Sequence, residues 1–284
     1  MSQENLSRLL ETISDLPTLP TVYMRLNRLL QSSNCSATEI ARIIESDQAL
    51  SSKVLRLVNS SFFGFSRRVT QINHAVVLLG FNTVRNTVLS ISVFESFKST
   101  SDTAFDRREF WRHSIATGLI ARVLARKLNI EQDEEAFSGG ILHDLGKLVL
   151  DQFLPQQFAR ILDLTRDQNC SIIEAERIIL GTDHAEIGEY LMERWNLPHV
   201  LVEMVALHHT PSVMRSHPTL VSLVHIGDVL ARRLNLGYAG DHRVPDIDPF
   251  ALEELNLTPD MLDNMLDDIR EQVHQSDDIL ALVN

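Results

Sequence analysis

Apolar residues recur at three- and four-residue intervals along almost the whole chain, the period of an amphipathic helix rather than of a strand. Leu6, Leu9, Leu10 and Ile13 mark a first helix, from about Asn5. Leu16-Pro17-Thr18-Leu19-Pro20 interrupts the pattern, because each proline disfavours helix in the residue before it. Val22, Leu26, Leu29 and Leu30 predict a helix over about 21–31. Ser36 and Glu39 form a capping box ahead of Ile40-Ala41-Arg42-Ile43-Ile44, and Asp47 caps a helix running to about Asn59. A loop over 60–68 holds Phe62, Phe63 and Phe65 around Gly64, and two helices, about 70–79 and 82–97, meet at Gly80. Beyond residue 105 the spacing predicts a long helix over about 107–128 behind Asp106. A helix opened by Asp133-Glu134-Glu135 is expected to reach His143-Asp144. Further helices are expected over 153–164, 171–180, 184–195, 199–209 and 221–234, and an acidic one around Met261–Ile269. The expected fold is all-α.

Composition narrows the class. The chain has 284 residues, 44% of them apolar and 23% charged, an ordinary globular balance. No uncharged apolar run approaches the roughly 18 residues of a membrane span. Met1-Ser2-Gln3-Glu4 has neither the basic start nor the apolar core of a secretion signal. Cys35 and Cys170 form no pattern, so a cytoplasmic protein with reduced thiols is expected. Charge is unevenly spread. Residues 1–100 hold 10 Lys and Arg against 7 Asp and Glu, a net of +3; residues 101–284 hold 16 against 31, a net of −15. The difference predicts two helical parts, 1–104 and 105–284, the second ending in an acidic tail. The acidic part is no general binder of nucleic acid, since phosphate contacts need a basic face. The helix pair 37–45 and 48–59 has the outline of a helix-turn-helix, yet no basic cluster flanks Arg56.

The candidate chemistry lies in polar residues set singly into apolar helices. Gly139-Gly140-Ile141-Leu142-His143-Asp144-Leu145-Gly146-Lys147 puts an imidazole beside a carboxylate in an apolar run. A buried carboxylate is costly unless a partner offsets its charge, and imidazole with carboxylate suits a transition metal. Glu109 and His113 are four residues apart, on one helix face. His184 opens a helix, His208-His209 close one, and Asp228 sits among Val224, Ile226, Val229 and Leu230, with His225 three residues earlier. Each has an ordinary explanation alone: an intrahelical Glu–His bond, a capping histidine, a hydrogen-bonded His–Asp pair. Together, Glu109, His113, His143, Asp144, His184, His208, His209 and Asp228 are ligand-type groups on separate helices, which is how helical bundles assemble metal sites. Their number exceeds one structural zinc, so two divalent metals (Fe, Mn, Ni or Zn) with Asp144 between them are expected. Lys147, one turn on, would steady an anionic oxygen of a phosphate-containing ligand.

The order His113, His143-Asp144, His184, His208-His209, Asp228 resembles the HD superfamily of metal-dependent phosphohydrolases, near the HD-GYP cyclic-dinucleotide phosphodiesterases. Leu16-Pro17-Thr18-Leu19-Pro20, Ile44-Glu45-Ser46-Asp47-Gln48-Ala49-Leu50, Leu57-Val58-Asn59-Ser60 and Ala75-Val76-Val77-Leu78-Leu79-Gly80 resemble the HDOD domain, the HD-related output domain of bacterial signalling proteins. The resemblance spans about residues 5–235. It implies a regulatory module acting on a signalling protein supplied in trans, in a family where many members have lost the metal ligands. Here every matched ligand position is filled. The Gly-Tyr-Pro triplet of the phosphodiesterases is absent; Thr210-Pro211-Ser212-Val213-Met214 follows His208-His209 instead. The alternative expectation is a metal-dependent phosphohydrolase with Asp144 and Lys147 at the reacting centre.

Overall fold

Capping chemistry sets where the helices begin. The computed structural model describes residues 16–32, 35–60, 63–97, 105–213 and 216–275. The expected helix over 5–13, Phe62 and the boundary at 104/105 fall outside or beside these. All regular structure among the described residues is helical. The described residues divide into two compact units, one built on 17–97 and one on 105–270, the residues from Glu271 at the end of the last helix being grouped with the first.

The first unit holds α1 (Thr21–Leu30), α2 (Ala37–Glu45), α3 (Gln48–Val58), α4 (Ile72–Leu79) and α5 (Phe81–Ser96). Ser36 Oγ accepts from the Glu39 amide while Glu39 Oε2 accepts from the Ser36 amide, the reciprocal box that fixes the start of α2. Asp47 Oδ1 accepts from Leu50 N to start α3. The apolar stripes bury Leu26, Ile40, Ile44, Val54, Val58, Ala75, Val88 and Ile91 against one another. Asn59 then folds the following loop back: its amide donates to Val69 O at 2.7 Å and its carbonyl accepts from Val69 N at 2.7 Å. Gly80, at φ +78°, makes the sharp corner between α4 and α5, which are bent by 119°. No single helix among the described residues is long and apolar enough to cross a membrane.

The second unit is organised around α6 (Arg107–Lys127), capped by Asp106 and buried along most of its length. α7 (Asp133–Leu142) and α13 (Pro218–Arg233) pack against it. Glycines permit the close approach: a Cβ on Gly140 would lie 2.5 Å from Gly118 Cα, and one on Gly227 would lie 2.8 Å from Thr117 O. Around these run α8 (Leu145–Phe153), α9 (Pro155–Gln168), α10 (Ile172–Leu180), α11 (His184–Arg194), α12 (His199–Leu207), α14 (Pro249–Glu254) and α15 (Pro259–Gln275). Four helices end alike. Asn129, Asn196, Asn235 and Asn256 take left-handed φ of +51° to +57°. In each case the next residue's amide reaches back to the last turn, as Leu236 N does to Ala231 O at 3.0 Å, the Schellman closure.

The helix expected to reach His143-Asp144 ends two residues short, and a further helix follows that the sequence pattern does not mark. The run from Asp133 stops at Leu142 and α8 begins at Leu145, leaving His143 and Asp144 in the turn between them. The His143 ring caps the α7 end by donating from Nδ1 to Gly140 O at 2.7 Å. Gly146 lies so close to the His184 carbonyl that any side chain there would overlap it.

Candidate metal centre

Two histidines reach the site by the same local device. His143 and His208 each follow a helix C-terminus, and each ring points Nδ1 at the carbonyl three residues back, Gly140 O at 2.7 Å and Val205 O at 2.8 Å. A carbonyl only accepts, so Nδ1 carries the proton and the Nε2 lone pair is left for the interior. His184, in the first turn of α11, is held by a carboxylate: Glu176 Oε2 accepts from its amide at 2.9 Å and from Nδ1 at 2.6 Å. His113 comes from the middle of α6 and Asp228 from the middle of α13.

These side chains converge on Asp144. Its Oδ1 lies 3.2 Å from His184 Nε2 and 3.6 Å from His208 Nε2. Its Oδ2 lies 3.2 Å from His143 Nε2 and 4.0 Å from His113 Nε2. His113 Nε2 is 3.0 Å from Asp228 Oδ1, and His184 Nε2 is 2.9 Å from His209 Nε2. Two groups result, Asp144–His184–His208–His209 and His113–His143–Asp228. Within each, the ligand atoms lie within 4.8 Å of one another. Asp144 belongs to the first and turns its second oxygen to the other. His113, His143, Asp144, His184 and His208 are buried, and His209 is half-buried.

The electrostatics suit cations. Burial alone would raise the Asp144 pKa, but the His143 ring and the Lys147 ammonium beside it hold it well below the usual carboxylate range. Asp228 is likewise held low despite burial, chiefly by Arg232 and His113. Burial pushes His208 down to about 4 and His209 well below the ordinary imidazole value, so both rings are neutral at pH 7. Burial also lowers His184, yet the Glu176 carboxylate outweighs it and brings the ring to about 9, so a cation bound there would have to displace the Nε2 proton. The Nε2 atoms of His113, His143 and His208 and Oδ1 of Asp144 are buried with no hydrogen-bond partner among the described residues. Orphaned lone pairs aimed at shared points are what a metal ion would satisfy, so the residues present fit the group expected from the sequence.

Seven of the eight expected ligand positions are brought together: His113, His143, Asp144, His184, His208, His209 and Asp228. Glu109 is not. Its side chain is 37% exposed and lies 3.8 Å from Arg112, while its backbone carbonyl accepts from Tyr238 N. Asp228 takes the place beside His113 that the four-residue spacing suggested for Glu109. Lys147 also differs from expectation. It is fully buried and donates to Asp144 Oδ2 at 2.6 Å and Ala239 O at 2.8 Å, so it orients the central carboxylate and does not reach toward a ligand.

Of the supporting shell, only His225 is marked by the sequence, as a partner for Asp228 or a group behind the ligands; Glu176 and Arg232 are not. Glu176 orients His184. Arg232 Nε donates to Asp228 Oδ1 at 2.9 Å. His225 donates from Nδ1 to His208 O at 2.7 Å and accepts at Nε2 from Asp248 N at 2.9 Å. Carboxylates behind metal-binding histidines set ring direction and basicity. Glu176→Ala is therefore expected to weaken metal binding by about 10–100-fold, read by competition against a chromogenic chelator; unchanged affinity would remove Glu176 from the site.

A buried carboxylate shared between two histidine clusters in an all-helical unit defines a narrow class of protein. The chain belongs to the HDOD domain family, whose model matches residues 16–211. The match ends before α13, so Asp228 and Arg232 lie beyond it. An uncharacterized protein of Treponema pallidum (strain Nichols) is 28% identical over 227 residues, covering 79% of this chain and 44% of that protein. This chain spans less than half the length of the curated relatives it matches. Among solved structures, an HDOD domain protein of unknown function from Geobacter sulfurreducens superposes with a TM-score of 0.81 at 22% identity, covering 97% of each chain. A provisionally named phosphohydrolase from Shewanella amazonensis SB2B gives 0.76 at 23% identity, covering 97% of this chain and 98% of that one. At these identities the likeness is one of fold.

Proposed function

We propose that this chain is a regulatory output module of bacterial signal transduction, built on a retained HD-type metal centre and acting through contacts with a signalling protein. The observation that carries this reading is the burial and internal use of the centre. Six of its seven side chains are buried, and the lysine nearest the shared carboxylate is spent on Asp144 and Ala239. His113, His143, Asp144, His184, His208, His209 and Asp228 would hold one or two divalent transition metals. A cation there would supply positive charge between helices that otherwise present orphaned lone pairs to one another. The module's helical surface then depends on occupancy of its interior, which suits a part that transmits a state.

One observation favours a second reading, a metal-dependent phosphohydrolase acting on a nucleotide or cyclic dinucleotide. The His209 ring is half-buried where the other members of its group are buried, and its Nε2 is 2.9 Å from that of His184. That edge is where a phosphate oxygen would enter.

Elemental analysis of the purified protein, followed by a phosphoester and cyclic-nucleotide panel with added Mn or Fe, separates the readings. The expected result is bound transition metal with no turnover. Turnover lost in Asp144→Asn would install the phosphohydrolase reading instead, and metal-free protein that stays metal-free on titration would sink both.

A further inference from the structure

A third cluster of ligand-type side chains lies outside the centre just described. Glu203, on α12, is 0% exposed, an expensive place for a carboxylate unless its charge is answered. Part of the answer is backbone: Oε2 accepts from His217 N at 2.9 Å, and the Ser216 amide lies 3.1 and 3.2 Å from the two oxygens. The rest is imidazole. His199, one turn earlier on the same helix, brings Nδ1 to 3.1 Å from Oε1; His217, just before α13, brings Nδ1 to 3.0 Å from Oε2. The ring centroids are 6.2 Å apart, and one ligand atom from each of the three residues lies within 4.8 Å of the other two. His199 is 65% exposed and His217 35%, so the outer side of the cluster is open to solvent.

We propose that His199, Glu203 and His217 form a separate, surface-accessible site for a divalent cation of the zinc class. Two imidazoles and one carboxylate suit Zn, Co or Ni rather than Mg or Ca. The spacing suits them too. His199 Nδ1 faces Oε1 and His217 Nδ1 faces Oε2, and with one ligand atom from each residue within 4.8 Å of the other two, small rotations of the two rings bring them to a cation with bonds of about 2.0–2.1 Å. The carboxylate is already fixed by the Ser216 and His217 amides, so little ordering remains for binding to supply. One cation would take the place of the two ring protons now directed at Glu203, and water from the open side would complete three protein ligands. The site ties the first turn of α12 to the residue before α13, closing the connection that begins with His208 and His209.

The test is calorimetric titration of the chelator-stripped full chain with zinc chloride, for wild type, His199→Ala, His217→Ala and Asp144→Ala. Wild type is expected to bind one equivalent more than either histidine variant, or to bind that equivalent at least tenfold more tightly. Asp144→Ala is expected to keep this equivalent while losing those of the buried centre, so failure of the buried centre and failure of this site give different patterns. His199 is exposed, so its replacement leaves folding intact. The share of the bound-cobalt visible absorption that His199→Ala removes from the wild-type spectrum gives a second reading that does not rely on Asp144→Ala folding. Equal stoichiometry and affinity in wild type and His199→Ala would overturn the site and leave a hydrogen-bonded loop anchor.

Discussion

Asp144→Ala is expected to strip metal from the purified protein and, in chelator-treated samples, to cost the fold about 3–5 kcal/mol. The two effects have separate causes. Metal loss follows because Asp144 is, among the described residues, the side chain with an oxygen toward each of the two histidine groups. The stability loss follows from Lys147. Its ammonium is buried with Asp144 at 2.6 Å and the Ala239 carbonyl at 2.8 Å as its partners. Alanine at 144 leaves that charge with only the carbonyl. Breaking a buried pair by removing one partner costs far more than replacing both, so Asp144→Ala with Lys147→Met should recover most of the loss while remaining metal-free. Denaturant titration and elemental analysis read the two effects independently. A single-variant loss under about 1 kcal/mol would mean that water reaches Lys147.

Much of this centre was legible because a polar ligand-type residue inside an apolar helix must be explained. His113, His143, Asp144, His184, His208, His209 and Asp228 each broke an apolar pattern, and the HD-like order tied them together. Glu109 shows the limit of spacing. Four residues place two side chains on one helix face, but near a helix start one can face the interior and its neighbour the solvent. Only the course of α13 reveals that Asp228 fills the position. Lys147 could be placed one turn from Asp144, yet not where its ammonium ends, because Ala239 lies 92 residues further on.

Other signals were present and unused. Glu203 within His199–Leu207 is a carboxylate among apolar neighbours, the same anomaly that picked out Asp228, whereas Glu176, beside Arg177 and two residues from Glu174, carries no such mark. The recurring pattern of asparagine followed by Leu or Ile, at 129, 196, 235 and 256, marks helix ends by a residue that tolerates left-handed φ and an apolar one that packs after it. The break at His143-Asp144 had no such mark. It rests on a histidine capping its own helix and on the approach of Gly146 to the His184 backbone, a contact made between distant parts of the chain.

Arg232→Met should be nearly as damaging, and its penalty should depend on pH and on metal. The guanidinium is buried between two carboxylates, with Nε 2.9 Å from Asp228 Oδ1 and Nη1 3.2 Å from Asp241 Oδ1. Asp241 in turn anchors the start of α10 by accepting from Ile172 N. Methionine fills similar volume but leaves both carboxylates short of their cation, a loss of about 3–5 kcal/mol at pH 7 in metal-free protein. The Asp228 carboxyl is held well below its ordinary value in the folded protein, against burial and mainly by Arg232. A depressed folded pKa contributes stability that is present above the unfolded value, about 3.9, and fades as pH falls below it. The gap between wild type and Arg232→Met should therefore be widest near neutrality and narrow below about pH 4. Bound metal should narrow it as well, because a cation at Asp228 would restore part of the missing charge. Thermal or denaturant unfolding at pH 7 and pH 3.5, with chelator and with added Mn or Zn, gives four values of that gap. A gap that ignores pH would show Arg232 acting through packing alone. A gap that ignores metal while elemental analysis shows metal bound would place that metal away from Asp228.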